Sequence, residues 1–235
     1  MSKHTLTWAG HTFDVYVDAS LSFNKPARNV ETFTVPGRNG SLIIDDGTFN
    51  NVVITYPVYI RGTFSADFDT IVNLIAKTPG YEELVCDVDS THFRLGRAIM
   101  PESPSVKRLN LDGYFNLAFD CKPQRFLTSG KTTVSFAASG TITNPTGFTA
   151  LPLLDVTGTG TLTINGTIAT ILQNPNGLII DCEMLDCYDK VTGASMNAYV
   201  SFNDNDYPAL APGSNPVTLG TGITNVDITP RWWEI

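Results

Sequence analysis

The apolar positions of this chain fall mostly at a period of two, with one interruption. Around Gly10, apolar and polar residues alternate on both sides over residues 6–15, the pattern of a hairpin. Residues 32–35 run extended into Pro36-Gly37, and Leu42-Ile43-Ile44 meets Asp45-Asp46-Gly47, a second turn by composition. Val52, Ile54, Tyr56, Val58 and Ile60 then alternate along a long strand that is apolar on both faces. Pro57 within it predicts an edge or a bulge, because proline has no N–H for the ladder.

The interruption follows. Phe68, Ile71, Val72 and Ile75 stand at i, i+3, i+4 and i+7, the stripe of an amphipathic helix. Ser65 is the expected N-cap, Asp67 and Asp69 suit the first turn, Lys77 suits the last, and Pro79-Gly80 ends it. Strands are expected again at residues 84–88, 93–99 and 109–119, with Cys121-Lys122-Pro123 closing the unit. A Ser-, Thr- and Gly-rich stretch up to Gly147 places a domain boundary near residue 128. Beyond it the pattern is wholly β. Asn165-Gly166 between alternating runs is the signature of a type I′ hairpin turn, and this outweighs reading Asn165-Gly166-Thr167 as a glycosylation sequon. Short strands at residues 178–182, 198–202, 217–219 and 226–228 complete a sandwich-like series. The expected class is mainly β: residues 1–128 a β-rich domain with one helix, residues 129–235 a β-sandwich.

Composition narrows the function classes. At 42% hydrophobic and 16% charged residues, the chain has the balance of a soluble globule, and no run of 18 apolar residues predicts a membrane span. The start, Met1-Ser2-Lys3-His4-Thr5, has no secretory pattern. Cys86, Cys121, Cys182 and Cys187 are therefore expected as free thiols. Residues 1–130 hold 12 Lys+Arg against 14 Asp+Glu, and residues 131–235 hold 3 against 9, for a net charge of −8. That acidic second half lacks the clustered cations that hold nucleic acid. It suits solubility, and it also suits a conduit along which DNA slides without sticking.

Candidate chemistry is sparse. His92 stands near Asp87, Asp89 and Ser90, but neighbours in sequence do not form a triad, and no nucleophile elbow is present. Asp204-Asn205-Asp206 begins like a calcium loop, yet Ala209 and Asn215 occupy the positions of its glycine and closing glutamate. The three histidines all precede residue 93, away from Cys182 and Cys187, which argues against a structural zinc site. No catalytic residue, metal or cofactor is expected. Trp232 and Trp233 are adjacent, so on a strand they point to opposite faces. One is expected in the core, and the other is open to an interface or sugar-stacking role.

Three segments, in order and at their spacing, resemble the distal tail proteins of long-tailed bacteriophages. They are Pro36-Gly37-Arg38-Asn39-Gly40, Cys121-Lys122-Pro123-Gln124-Arg125-Phe126, and Tyr207-Pro208-Ala209-Leu210-Ala211-Pro212-Gly213-Ser214-Asn215-Pro216. The resemblance marks Pro36, Gly37, Arg38, Gly40, Cys121, Pro123, Phe126, Pro208, Leu210, Pro212, Gly213 and Asn215 as structural positions. It implies an N-terminal domain that forms a ring, a homohexamer around a channel that DNA passes without specific binding. It implies a galectin-like C-terminal sandwich at the periphery. The implied partners are a tail tube protein, a tail-tip or tail-associated lysin protein, and receptor-binding or baseplate proteins, with no membrane. The implied place is the virion tail tip, after assembly in the host bacterial cytoplasm. The alternative is a carbohydrate-binding protein acting through the C-terminal sandwich. After residue 130, however, there is no histidine and one arginine, Arg231, so the His-x-Asn-x-Arg sugar cluster of galectins is missing.

Overall fold

The computed structural model describes residues 2–17, 24–102, 104–107, 111–203 and 206–235. Contacts divide the chain into two units, residues 1–125 with Ile235, and residues 126–234.

In the first unit, β1 (Ser2–Trp8) and β2 (His11–Val17) form the hairpin expected around Gly10. Ala9 and Gly10 both take positive φ, 51° and 74°, the geometry of a type I′ turn. Among the described residues, β3 (Arg28–Thr34) and β4 (Ser41–Phe49) pair only with each other. Asp45-Asp46-Gly47 does not end β4. It forms a bulge inside it: the register jumps opposite residues 28–30, the Gly47 N–H donates to Asp45 Oδ1 (2.8 Å), and the Thr48 N–H donates to Asp46 Oδ1 (2.9 Å).

β5 (Val52–Arg61) buries Val52, Ile54, Tyr56, Val58 and Ile60, as its alternation requires. It is neither an edge nor bulged at Pro57. It lies between β2 and β9 (Asp112–Leu127), and its ladder with β9 runs unbroken through Pro57 and Asn116. The described pairing with β2 covers Val58 and Tyr59, opposite Val17 and Tyr16.

α1 (Phe64–Lys77) is the only α-helix among the described residues. Its N-cap is Thr63, not Ser65, and Thr63 Oγ1 donates to Asp67 Oδ2 (2.5 Å). The helix starts earlier than expected because Phe64 joins the apolar face: its ring stacks on Phe68 and meets Phe115 edge-on. Ile71 and Ile75 are buried with it, while Val72 is half-buried.

β6 (Glu82–Cys86), β7 (His92–Ile99) and the short β8 (Ser105–Lys107) follow. The main sheet runs β9-β5-β2-β1-β6-β7, and β7 pairs back onto β9, so the path closes on itself as a small barrel. β9 makes this possible by its 16-residue length. Cys121-Lys122-Pro123 was expected to close the unit, but the strand continues through it. The ladder with β5 ends at Cys121, so the proline lies beyond that ladder's last pair. Leu6, Trp8, Val58, Leu117, Phe119 and Cys121 are among the most deeply buried residues, and Trp8 Nε1 donates to the Gly96 carbonyl (2.8 Å).

The second unit is a two-sheet sandwich. Its strands are β10 (Val134–Phe136), β11 (Gly140–Asn144), β12 (Leu153–Gly158), β13 (Gly160–Ile164), β14 (Thr167–Ile171), β15 (Leu178–Asp181), β16 (Asp186–Asp189), β17 (Val200–Phe202), β18 (Gly213–Leu219) and β19 (Ile223–Thr229), while the short β20 (Trp233–Glu234) pairs with β9. One sheet has the order β10-β19-β12-β15-β16 and the other β11-β18-β13-β14-β17. Leu154, Val156, Ile180, Val226 and Ile228 of the first share one core with Ile142, Leu162, Ile164, Ala169, Ile171 and Val217 of the second. Asn165 and Gly166 take φ of 50° and 90° between β13 and β14, the expected hairpin turn. The end of β9 belongs to this unit: Leu127 packs on its core, and the Leu127 N–H donates to the Trp232 carbonyl (2.8 Å).

Candidate functional site

Among the described residues, the β3–β4 hairpin is the most exposed apolar element of the first unit. Phe33 pairs with Leu42, Thr32 with Ile43 and Glu31 with Ile44, so the β3–β4 arm carries apolar side chains on both faces. Val30, Phe33, Val35, Leu42, Ile43 and Ile44 are all exposed, Ile43 to 67%. At the tip, the Arg38 N–H donates to the Val35 carbonyl (3.1 Å). Gly37 has φ of 81°, which makes Val35-Pro36-Gly37-Arg38 a turn with proline at its second position and glycine in the left-handed third. Gly40 is also left-handed, at φ 80°. At the base, Arg28 pairs with Asp45 (2.8 Å) and lies over the Phe49 ring. Isolated two-stranded hairpins are marginal in water, and clustered exposed apolar residues mark interaction surfaces. The arm therefore has the chemistry of a docking element. The warning in the sequence is Leu42-Ile43-Ile44, three consecutive apolar residues that no period-two strand can bury on a single face.

The remaining motif positions are packing and turn positions. Cys121 is fully buried, and burial pushes its thiol up to about 12. The Pro123 carbonyl accepts a hydrogen bond from Arg94 (3.4 Å), and Phe126 is buried. In the second unit Pro208 and Leu210 are buried, whereas Pro212 and Gly213 are exposed, Gly213 at φ 85°. Asn215 is fully buried, and its side-chain amide donates to the carbonyls of Ala211 (2.8 Å) and Gly213 (2.9 Å), tying the bend to the start of β18.

The two tryptophans separate as expected. Trp232 is buried in the core. Trp233 is half-buried, stacks on Phe148 at 4.4 Å, and donates its indole N–H to the Thr149 carbonyl (2.9 Å). One face and the polar tip of the only partly open tryptophan of the pair are thus already engaged.

His92 does not assemble a triad with Asp87. Asp87 accepts from the Thr5 N–H (2.8 Å) and pairs with His4 Nδ1 (2.8 Å). His92 Nδ1 lies 2.9 Å from Asp89 Oδ1 and 2.9 Å from Arg125 Nη2, and Arg125 pairs with Asp89 (3.1 Å). Among the described residues, no group of three or more His, Cys, Asp or Glu is placed to hold a metal. Asp204 and Asn205, where a calcium loop would begin, lie outside the described residues. The four cysteines are free thiols.

No protein-family model matches the chain, and no curated protein matches it. Solved structures do. The Dit protein of phage SPP1 (gp 19.1), described as a paradigm of the hub adsorption apparatus in phages infecting Gram-positive hosts, is similar at a TM-score of 0.63 and 12% identity, over 96% of this chain and 98% of its own. A chain of the phage P2 baseplate, in its activated conformation with calcium, is similar at a TM-score of 0.50 and 8% identity, over 96% and 97%. The chain has the fold of the SPP1 Dit protein across nearly its whole length.

Proposed function

We propose that this chain is a distal tail protein, a structural hub of a long-tailed bacteriophage tail tip and not an enzyme. The observation that carries the reading is the fold likeness to SPP1 Dit, which spans both units rather than one common module. In this reading the N-terminal unit closes a homohexameric ring joined to the tail tube, with DNA passing through without specific binding. The galectin-like C-terminal unit lies at the periphery, where the tail-tip or tail-associated lysin protein and receptor-binding or baseplate proteins attach. The ring assembles in the host bacterial cytoplasm and resides at the virion tail tip. The β3–β4 arm supports this, because an exposed apolar hairpin needs a partner surface. A ring repeats one heterologous contact, so each arm would meet the next copy.

Light scattering and negative-stain electron microscopy of the full chain test the reading. The expected species has about six times the 25.5 kDa chain mass. Replacing Phe33 and Ile44 with serine should leave the protein folded and reduce it to monomers. A parent that stays monomeric at micromolar concentration contradicts the ring, and a variant that assembles like the parent contradicts the role of the arm.

A further inference from the structure

A cavity of about 420 Å³ opens in the first unit, between β5, β6, β7 and the Arg125 end of β9. That size is typical of small-molecule sites. Its walls include Ile54, Leu84, Val88 and Phe93, an apolar lining. Two polar groups in it lack adequate protein partners. The Tyr56 side chain is 8% exposed, and its hydroxyl makes no hydrogen bond to a described residue. Arg94 is half-buried, and its five N–H donors find one acceptor among the described residues, the Pro123 carbonyl at 3.4 Å.

The lining also carries Lys25, Arg125 and Asp89. Lys25 Nζ donates to the Ile235 carbonyl oxygen (2.7 Å), and Arg125 is paired with Asp89 (3.1 Å). The lining thus holds Lys25, Arg94 and Arg125 against the one carboxylate of Asp89, an excess of positive charge. Burial pushes the Tyr56 phenol up and the Arg94 guanidinium down, and each group is also influenced by the other. Both side chains line the same cavity. Arg94 has one weak acceptor for its donors, and a carboxylate is the acceptor-only group that a guanidinium fork and a phenol O–H would jointly satisfy.

We propose that this cavity binds a small organic carboxylate, its oxygens held by Arg94 and the Tyr56 hydroxyl and its apolar body against Ile54, Leu84, Val88 and Phe93. The site is independent of the arm and of ring formation.

The test is calorimetry and thermal melting of the full chain in an amine buffer free of carboxylate and phosphate. The probes are benzoate and hexanoate, with benzamide as the neutral control. Either acid should bind saturably and raise the melting temperature, and benzamide should not. Arg94→Met should weaken binding about tenfold or more. Without ligand, Arg94→Met should melt no lower than the parent, since Arg94 has one weak acceptor (3.4 Å); an arginine with a structural role would instead lower it. Tyr56→Phe keeps the ring and loses only the hydroxyl, so it should fold normally and bind more weakly. It decides the matter alone if Arg94→Met fails to fold. Absence of saturable binding by both acids, or equal binding by parent and variants, overturns the proposal.

Discussion

At the scale of single residues, the second unit depends on a few positions where backbone strain and close approach can be separated. Gly166 and Gly222 both have positive φ, 90° and 97°. A Cβ on Gly166 would meet nothing within 4 Å, whereas on Gly222 it would lie 2.3 Å from the Thr159 carbonyl oxygen. Gly166→Ala should therefore cost only the left-handed strain, about 1 kcal/mol. Gly222→Ala adds a backbone clash, for about 3 kcal/mol in all. Urea unfolding of the two variants measures the difference, and equal losses would refute the close-packing argument. Arg231 is a second such position. It holds Asp181 in a bidentate pair (2.7 and 2.9 Å), and Asp181 also accepts from the amides of Glu183 and Met184. Burial acts to raise the Asp181 pKa, but the Arg231 hydrogen bonds and these amides outweigh it and hold the carboxyl below its ordinary value of 3.8. A depressed folded-state pKa contributes stability above the ordinary value, and the contribution is lost as pH falls through the folded one. Arg231→Met should cost about 2–3 kcal/mol at pH 7. The gap between parent and variant should narrow below the ordinary value of 3.8, as Asp181 becomes protonated. Melting curves across that range check this, and a gap independent of pH would show that the pair is not its source.

At the scale of elements, what the sequence revealed was local. The Ala9-Gly10 and Asn165-Gly166 hairpins were legible because turn chemistry and flanking alternation agree within ten residues. The helix was legible from its 3.6-residue period, but its first turn was not, since Phe64 is recruited by Phe115, a residue far along the chain. Barrel closure had no local signal. It depends on β9 pairing with both β5 and β7, and the alternation of one strand says nothing about how many neighbours it serves. Pro57 and Pro123 misled for the same reason. A proline is excluded only where its own N–H would face a partner, and the partner is set by the tertiary fold. Among candidate site residues, the Asp89–His92 contact follows from short spacing, whereas Arg125 joins from another strand. The arm was visible as a turn in Pro36-Gly37 and Gly40. Its exposure was not, because Leu42, Ile43 and Ile44 look like core residues until the sheet around them proves to be absent.

At the scale of the whole molecule, a test of the two-unit division lies in where the second unit begins. A boundary at residue 128 follows the change in composition, whereas contacts put Phe126 and Leu127 with the sandwich. Leu127 packs against the sandwich core, and its N–H donates to the Trp232 carbonyl (2.8 Å). Gly130 then accepts from the Arg231 N–H (2.9 Å), and its missing side chain lets the Trp232 backbone approach, since a Cβ there would lie 2.5 Å from the Trp232 nitrogen. A fragment starting at residue 126 keeps this clasp whole, and one starting at residue 129 keeps only the Gly130 half. Roughly 110 residues around one apolar core are enough to fold alone. The fragment 126–235 should therefore melt in one cooperative transition. The fragment 129–235 should be less stable by at least about 2 kcal/mol, since it loses the buried Phe126, the partly buried Leu127 and one backbone hydrogen bond. Paired thermal melts at equal concentration decide it. Indistinguishable fragments would return the boundary to residue 128, and failure of both to melt cooperatively would mean that the sandwich is not an autonomous unit.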